Sequence, residues 1–188
     1  MPAPGSHHPL PAGSARGDID SPVGPLGAVV GPHGLLRLTF GSLARFADGL
    51  AACAPGAPAE GAPSLSDHEH GASIIRELGE YFAGRRTSFT IAVDWSLTSG
   101  AQRAILSTLH AEVHYGETIG YGDLAVLAGR TPGASRLVGT VMGSNPIVIV
   151  VPCHRVIAAD GGIGGFGGGL ETKRRLLTLE GSLQPTLF

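Results

Sequence analysis

Residues 147–156 read Ile147-Val148-Ile149-Val150-Val151-Pro152-Cys153-His154-Arg155-Val156 (IVIVVPCHRV). The five apolar residues at the start predict a buried strand or extended segment. Cys153 follows that run directly, with a histidine beside it. A free thiol titrates at about 8.5 and is mostly protonated at neutral pH. A nucleophilic thiolate needs a base or a positive field nearby, and the base needs an orienting acceptor. Adjacent residues on an extended chain point to opposite sides. His154 therefore reaches Cys153 only where the chain bends or a water bridges the two. A buried cysteine beside a surface histidine fits the pair equally well, and the pair alone does not decide between them.

Working outward, Gly161 to Gly169 holds seven glycines in nine residues, and Leu170 to Leu179 predicts a final helix stopped by Gly181. Upstream, Ala101 to His110 places Ile105, Leu106 and Leu109 on one helical face. Tyr121 to Ala128 and Ala134 to Met142 predict two short helices around the turn Arg130-Thr131-Pro132-Gly133, a helix-turn-helix candidate. Nearer the N-terminus, Leu26–Val30 and Leu35–Phe40 predict two strands around a tight turn. Leu43 to Ala52 is helix-like, and Ala54 to Ser66 is a low-complexity loop. Asp67 to Ala83 has helical apolar spacing, and Phe89 to Val93 alternates as a strand would. The expected fold class is α/β. A small N-terminal α/β domain with an antiparallel sheet spans 19–95, and a mostly helical C-terminal domain with the helix-turn-helix spans 98–182. Residues 1–18 and 183–188 are expected to be tails, the first disordered.

The 188 residues suit one domain or two small ones. Two cysteines, Cys53 and Cys153, cannot build a disulfide scaffold. With no basic start or apolar run at the N-terminus, and no stretch near the roughly 18 apolar residues of a membrane span, the expectation is a soluble, cytoplasmic protein with free thiols. The net charge of −2 excludes nucleic-acid binding by bulk positive charge. Charge is uneven, however. Residues 1–84 hold four arginines against eight acids, and from Arg130 onward six basic residues face three acids. The basic share lies with the helix-turn-helix candidate.

Read in order, Asn145-Pro146, Pro152-Cys153-His154-Arg155-Val156, Gly167-Gly168-Gly169-Leu170 and Leu179-Glu180-Gly181 resemble the O6-alkylguanine-DNA alkyltransferases, also called methylated-DNA–protein-cysteine methyltransferases. Tyr115-Gly116-Glu117-Thr118, Tyr121, Leu124-Ala125 and Ala128-Gly129 fit the same family, as does Ser21-Pro22-Val23-Gly24-Pro25-Leu26. The resemblance covers about Asp20 to Gly181.

It implies direct, irreversible, stoichiometric DNA repair. Cys153 accepts the alkyl group from O6 of guanine, with O4-alkylthymine as a second candidate lesion. By the same resemblance His154 acts on the thiol through a water, Glu180 fixes its tautomer, and Asn145 braces the cysteine loop. Tyr121 protonates the leaving guanine and helps to rotate the nucleotide. The target atom lies inside a duplex, so the base must be flipped out. The resemblance assigns this to the helix at 134–142, with Arg136 filling the gap in the stack from the minor groove. Ala134, Ser135 and Gly139 allow close approach to the backbone. Val148, Val156, Gly167, Gly168 and Met142 are the expected pocket residues. No cofactor and no metal are implied, because the lesion is the donor. The expected partner is double-stranded DNA carrying the lesion, met by a monomer. Phe166, Gly167 and Val148 depart from the family pattern, where Tyr, Ser and a second proline are common.

Other readings explain less. A lesion-binding sensor would replace the cysteine and lack the N-terminal domain. A thiol hydrolase built on Cys153, His154 and Glu180 leaves the helix-turn-helix and Arg136 unexplained. A Cys53–His68–His70 metal site has poor ligand spacing.

Overall fold

A computed structural model of the chain describes residues 10–46, 63–159 and 161–183. Cys53, most of the predicted loop at 54–66 and the outermost tail residues lie outside the described residues. The chain forms two compact units, Met1–Arg76 with Ile91–Leu97, and Glu77–Thr90 with Thr98–Phe188.

The first unit is built on a three-stranded antiparallel sheet, β1 (Ala15–Ile19), β2 (Leu26–Gly31) and β3 (Gly34–Phe40), in the order β1-β2-β3. β2 and β3 are the two strands the apolar runs predict. β2 is buried along its whole length, as a central strand with Leu, Ala and Val at successive positions should be. β1 corrects the expectation of a disordered tail to residue 18. Ala15 and Ile19 are buried and pair with Val30 and Leu26. Arg16, Gly17 and Asp18 between them hid the alternation. A Cβ at Gly17 would stand 3.1 Å from that of Leu65, so a side chain there would have to push Leu65 aside.

Phe89–Val93 also departs from expectation, since it forms no strand. Only Val93 bridges β3, at Leu35, with Leu35 N–H donating to the Ala92 carbonyl at 2.8 Å. This close pass fits Gly34 at φ 128°, where a Cβ would lie 2.1 Å from the Ala92 oxygen.

Helix α1 (Glu69–Phe82) buries Ile74, Leu78 and Tyr81 at the i, i+4, i+7 spacing of one face. A boundary between the units falls within it, so residues 77–90 group with the second unit, while Ile91–Leu97 return to the first. Within that segment Glu77 accepts a hydrogen bond from Thr90 N–H at 2.8 Å, and Tyr81 ties it to the rest of the second unit through Glu180.

The second unit continues with α2 (Gly100–Glu112), α3 (Tyr121–Leu127), α4 (Ser135–Gly143) and α5 (Leu170–Leu179). Ile105, Leu106 and Leu109 of α2, Leu124 and Ala125 of α3, Val138 and Val141 of α4 and Leu176 and Leu177 of α5 are among its buried apolar side chains. Gly129, at φ 70°, ends α3, and Arg130 N–H closes the end by donating to the Ala125 carbonyl at 2.8 Å. A 3-10 turn at Pro132–Ala134 leads into α4. Two short parallel strands, β4 (Ile119–Gly120) and β5 (Val156–Ile157), pair with each other. β4 runs directly into Tyr121, and β5 directly follows Cys153–Arg155. That pairing sets the start of α3 beside the cysteine turn. No helix of the described residues is long and apolar enough to cross a membrane.

Candidate active site

The run Ile147–Val151 is not a strand. It folds back on itself, with Val150 N–H donating to the Val148 carbonyl at 2.8 Å and Val151 N–H to that of Ile147 at 3.0 Å. Ile149 sits at φ 69°, a costly conformation for a β-branched residue. Asn145 closes the turn from inside. Its Nδ2 donates to the Val151 carbonyl at 2.9 Å and its Oδ1 accepts from Ile147 N–H at 3.0 Å. Apolar content correctly signalled burial, but beyond the isolated bridge at Ile147 the backbone groups are satisfied within the turn rather than by a strand partner. Cys153 therefore opens a 3-10 turn, Cys153–Arg155, rather than ending a strand, and Cys153, His154 and Arg155 are all buried.

Glu180 caps the C-terminal end of α5, just before Gly181 at φ 75°. Its Oε1 accepts from His154 Nε2 at 2.9 Å, from Arg155 Nη2 at 3.0 Å and from the Tyr81 hydroxyl at 2.7 Å. Its Oε2 accepts from Arg155 Nε at 2.8 Å. Burial alone would raise the Glu180 pKa, but the hydrogen bonds from His154 and Arg155 outweigh it and hold the carboxyl at about 2. Burial lowers the His154 pKa below its usual 6.5, against the pull of Glu180. At neutral pH the pair is thus a carboxylate and a neutral imidazole. The carboxylate can only accept, so Nε2 carries the proton and Nδ1 is left as a base. That buried Nδ1 has no protein hydrogen-bond partner. Burial raises the Cys153 thiol pKa, and the Asn145 side chain, Lys173 and the nearby backbone amides oppose the rise.

Cys153 forms part of the wall of a cavity of about 570 Å³. Tyr121 lines it from α3, and Ser135, Arg136, Gly139 and Met142 line it from α4. Phe166 and Gly167 line it from the glycine loop. Burial, and then the charge of Cys153, raise the Tyr121 pKa and keep its phenol protonated. Arg136 is an exposed residue of α4. Three of the expected pocket residues, Val148, Val156 and Gly168, do not line the cavity, and neither does Ala134, expected at the DNA surface. Val148, in the turn before Cys153, and Val156, in β5, are buried. Val156 contributes its carbonyl elsewhere, accepting from Lys173 Nζ at 2.6 Å. His68 and His70 sit with ring centroids 5.7 Å apart, and no group of three metal-ligating side chains forms among the described residues.

Sequence reasoning gave no role to three residues of this network. Arg155 was quoted in the motif, yet its fork on Glu180 and its third bond, Nη1 to the Val113 carbonyl at 2.6 Å, are invisible in a string. Lys173, the only lysine, is fully buried, with Nζ 5.7 Å from the Phe166 ring centroid. Its signal was available: 173, 176, 177 and 180 fall on one helical face, so two charged residues share the apolar stripe of α5. Tyr81 lies on the buried stripe of α1, but nothing in that stripe points to Glu180.

One sheet unit, and one helical unit in which the buried Cys153 precedes a buried His–Glu–Arg cluster at the wall of a cavity, define a protein of the cysteine alkyl-acceptor class. Residues 100–182 match the family model described as 6-O-methylguanine DNA methyltransferase, DNA binding domain. A methylated-DNA–protein-cysteine methyltransferase of Mycolicibacterium paratuberculosis is 48% identical over 120 residues, covering 62% of this chain and 71% of the relative. The crystal structure of the Mycobacterium tuberculosis O6-methylguanine methyltransferase superposes with a TM-score of 0.69 at 35% identity, covering 92% of this chain and 96% of the other. That of the M. tuberculosis OGT in complex with DNA gives 0.68 at 36% identity, covering 89% and 93%. The chain belongs to the methylated-DNA–protein-cysteine methyltransferase family.

Proposed function

We propose that this chain repairs DNA by moving the alkyl group of O6-alkylguanine to Cys153, irreversibly and once per molecule. The observation that carries the reading is the buried His154–Glu180–Arg155 cluster beside a thiol at the wall of a cavity. The cavity volume lies within the roughly 300–1,000 Å³ of small-molecule pockets. O4-alkylthymine is the second candidate lesion.

The partner is duplex DNA, bound by one copy of the chain through α4 in the minor groove. Small residues Ser135 and Gly139 let backbone and phosphate approach, and Arg136 fills the space the flipped base leaves. Lesion repair works in any sequence context, so contacts fall on phosphate and sugar rather than base edges. A modest basic surface then suffices.

In the reaction the Cys153 proton passes through a water to His154 Nδ1. Glu180, itself held by Arg155, keeps the ring in the tautomer that leaves Nδ1 free and stabilises the imidazolium that forms. The thiolate attacks the alkyl carbon, the S–C bond forms and the C–O6 bond breaks with its electrons remaining on guanine. Tyr121 donates the proton that neutralises the leaving base. The thioether has no route back to a thiol, so each chain reacts once. No cofactor enters this balance.

Intact-mass analysis after mixing with a duplex carrying one O6-methylguanine tests it. A gain of one methyl group, mapped to Cys153 and saturating at one per chain, is expected. Tight binding without a mass change would leave a lesion sensor instead.

A further inference from the structure

We propose that Tyr81 is a positioning residue of the alkyl-transfer relay: by donating its hydroxyl to Glu180 Oε1, it limits how strongly that carboxylate draws a proton onto His154. The inference rests on the repair reading given above.

The Tyr81 side chain is fully buried, and its hydroxyl hydrogen lies on the very oxygen that His154 Nε2 uses. Oε1 thus takes three donors, from Tyr81, His154 and Arg155, and Oε2 takes Arg155 Nε. Donors to one oxygen compete for the same charge. The tyrosine bond drains negative charge that His154 would otherwise feel. A His154 that holds its proton less firmly stays neutral, with Nδ1 available, to a lower pH. Burial, with Glu180 beside it, keeps the Tyr81 phenol protonated, so it acts as a donor throughout the working range.

Among the described residues, the other charged or titratable groups that act on His154 and Glu180 have different partners or roles. Arg155, from the cysteine turn, holds both carboxylate oxygens. Lys173, from α5, acts on Cys153 and His154 and bonds the Val156 carbonyl. Tyr115, which precedes β4, donates to the Leu179 carbonyl at 2.7 Å and not to the carboxylate. Tyr81 alone adds a neutral donor to the oxygen shared with His154. Its ring packs against Phe82, Phe89 and Tyr115, with centroids 5.2, 5.4 and 6.2 Å away. Tyr81→Phe keeps those contacts and removes only the donor.

The test uses the full chain. Single-turnover transfer from a duplex with one O6-methylguanine is followed across pH for wild type, Tyr81→Phe and Tyr115→Phe. Tyr81→Phe is expected to move the acid limb up by about half to one pH unit, so that the rate on that limb falls about three- to tenfold. Tyr115→Phe, which loses a hydrogen bond outside the carboxylate, should leave the limb in place. A rate lowered equally at every pH in Tyr81→Phe, or a limb moved equally by both variants, overturns the proposal. Titration of the His154 ring nitrogens by NMR reports the same shift without DNA. A wild type that fails to transfer the methyl group would therefore refute the repair reading, while the ring titration still decides the role of Tyr81.

Discussion

Four hydrogen bonds on two oxygens make Glu180 the electrostatic hinge of the site. Its folded pKa of about 2 lies below the ordinary 4.5. A depressed carboxylate stabilises the fold above the unfolded value and loses that contribution as pH falls through the folded one. The window is therefore pH 4.5 to about 2, and the full shift is worth about 3 kcal/mol. His154 acts in the same direction but starts earlier. Its folded pKa is lowered, so the unfolded chain takes up the proton first and stability declines as pH drops below 6.5. Urea unfolding from pH 7.5 downward should show both losses in that order. Glu180→Gln should remove the lower window. It should also cost about 3–5 kcal/mol at neutral pH, because it leaves Arg155 buried without its partner charge. Alkyl transfer should be flat near neutrality and fall only below the ordinary histidine pKa, since His154 must be neutral to accept a proton.

At the level of elements, the turn at 145–151 and helix α4 divide the work. Asn145 satisfies one N–H and one carbonyl inside the turn that precedes Cys153. Asn145→Ala leaves both buried groups unpaired and should cost about 2–5 kcal/mol by urea unfolding. Transfer should slow further than stability alone explains, because the thiol is no longer held in register. Helix α4 carries the DNA side. Arg136→Ala should lower transfer from duplex by about ten- to a hundredfold, the cost of flipping a base without a residue to hold the gap. Transfer from the free O6-alkylguanine base should stay near wild type, and equal losses on both substrates would place Arg136 in the chemistry instead. These elements differ in how far they could be read from sequence. Helices α1, α2 and α5 were legible because their apolar stripes have helical spacing. So were β2 and β3, two apolar runs around Pro32-His33. β1 was not, because charged residues and a glycine separate its two buried positions. The turn at 147–151 looked like a strand because burial is visible in composition and pairing is not. Cys153, His154, Glu180 and Asn145 were legible from their motif. The Tyr81–Glu180 bond, between residues 99 apart, was not, since it exists only once α1 and α5 meet in the folded unit.

For the whole molecule the consequence of reacting once is a changed protein. Cys153 is only 5% exposed, and its sulfur lies against the turn that Asn145 closes. A thioether accepts hydrogen bonds weakly, so alkylation weakens the contact between the sulfur and the Asn145 side chain. The new carbon must also enter the cavity beside Gly139 and Met142 of α4 and Phe166 of the glycine loop. Where the added carbon crowds the residues around the 5% exposed sulfur, the cost is about 1–3 kcal/mol. For a chain of this size each kcal/mol moves Tm by about 2–4 °C. The methylated protein should therefore melt several degrees below the unreacted one, and the benzylated protein lower still. The glycine loop offers the easiest relief, because Gly165 and Gly167 have open space where a side chain would stand. Amide exchange should accordingly quicken first in that loop and in α4, with the sheet of the first unit unchanged. Scanning calorimetry of the two forms at pH 7 checks the shift. Equal melting temperatures would mean that the cavity takes up the alkyl group without strain, and that the spent protein carries no structural mark beyond its blocked sulfur.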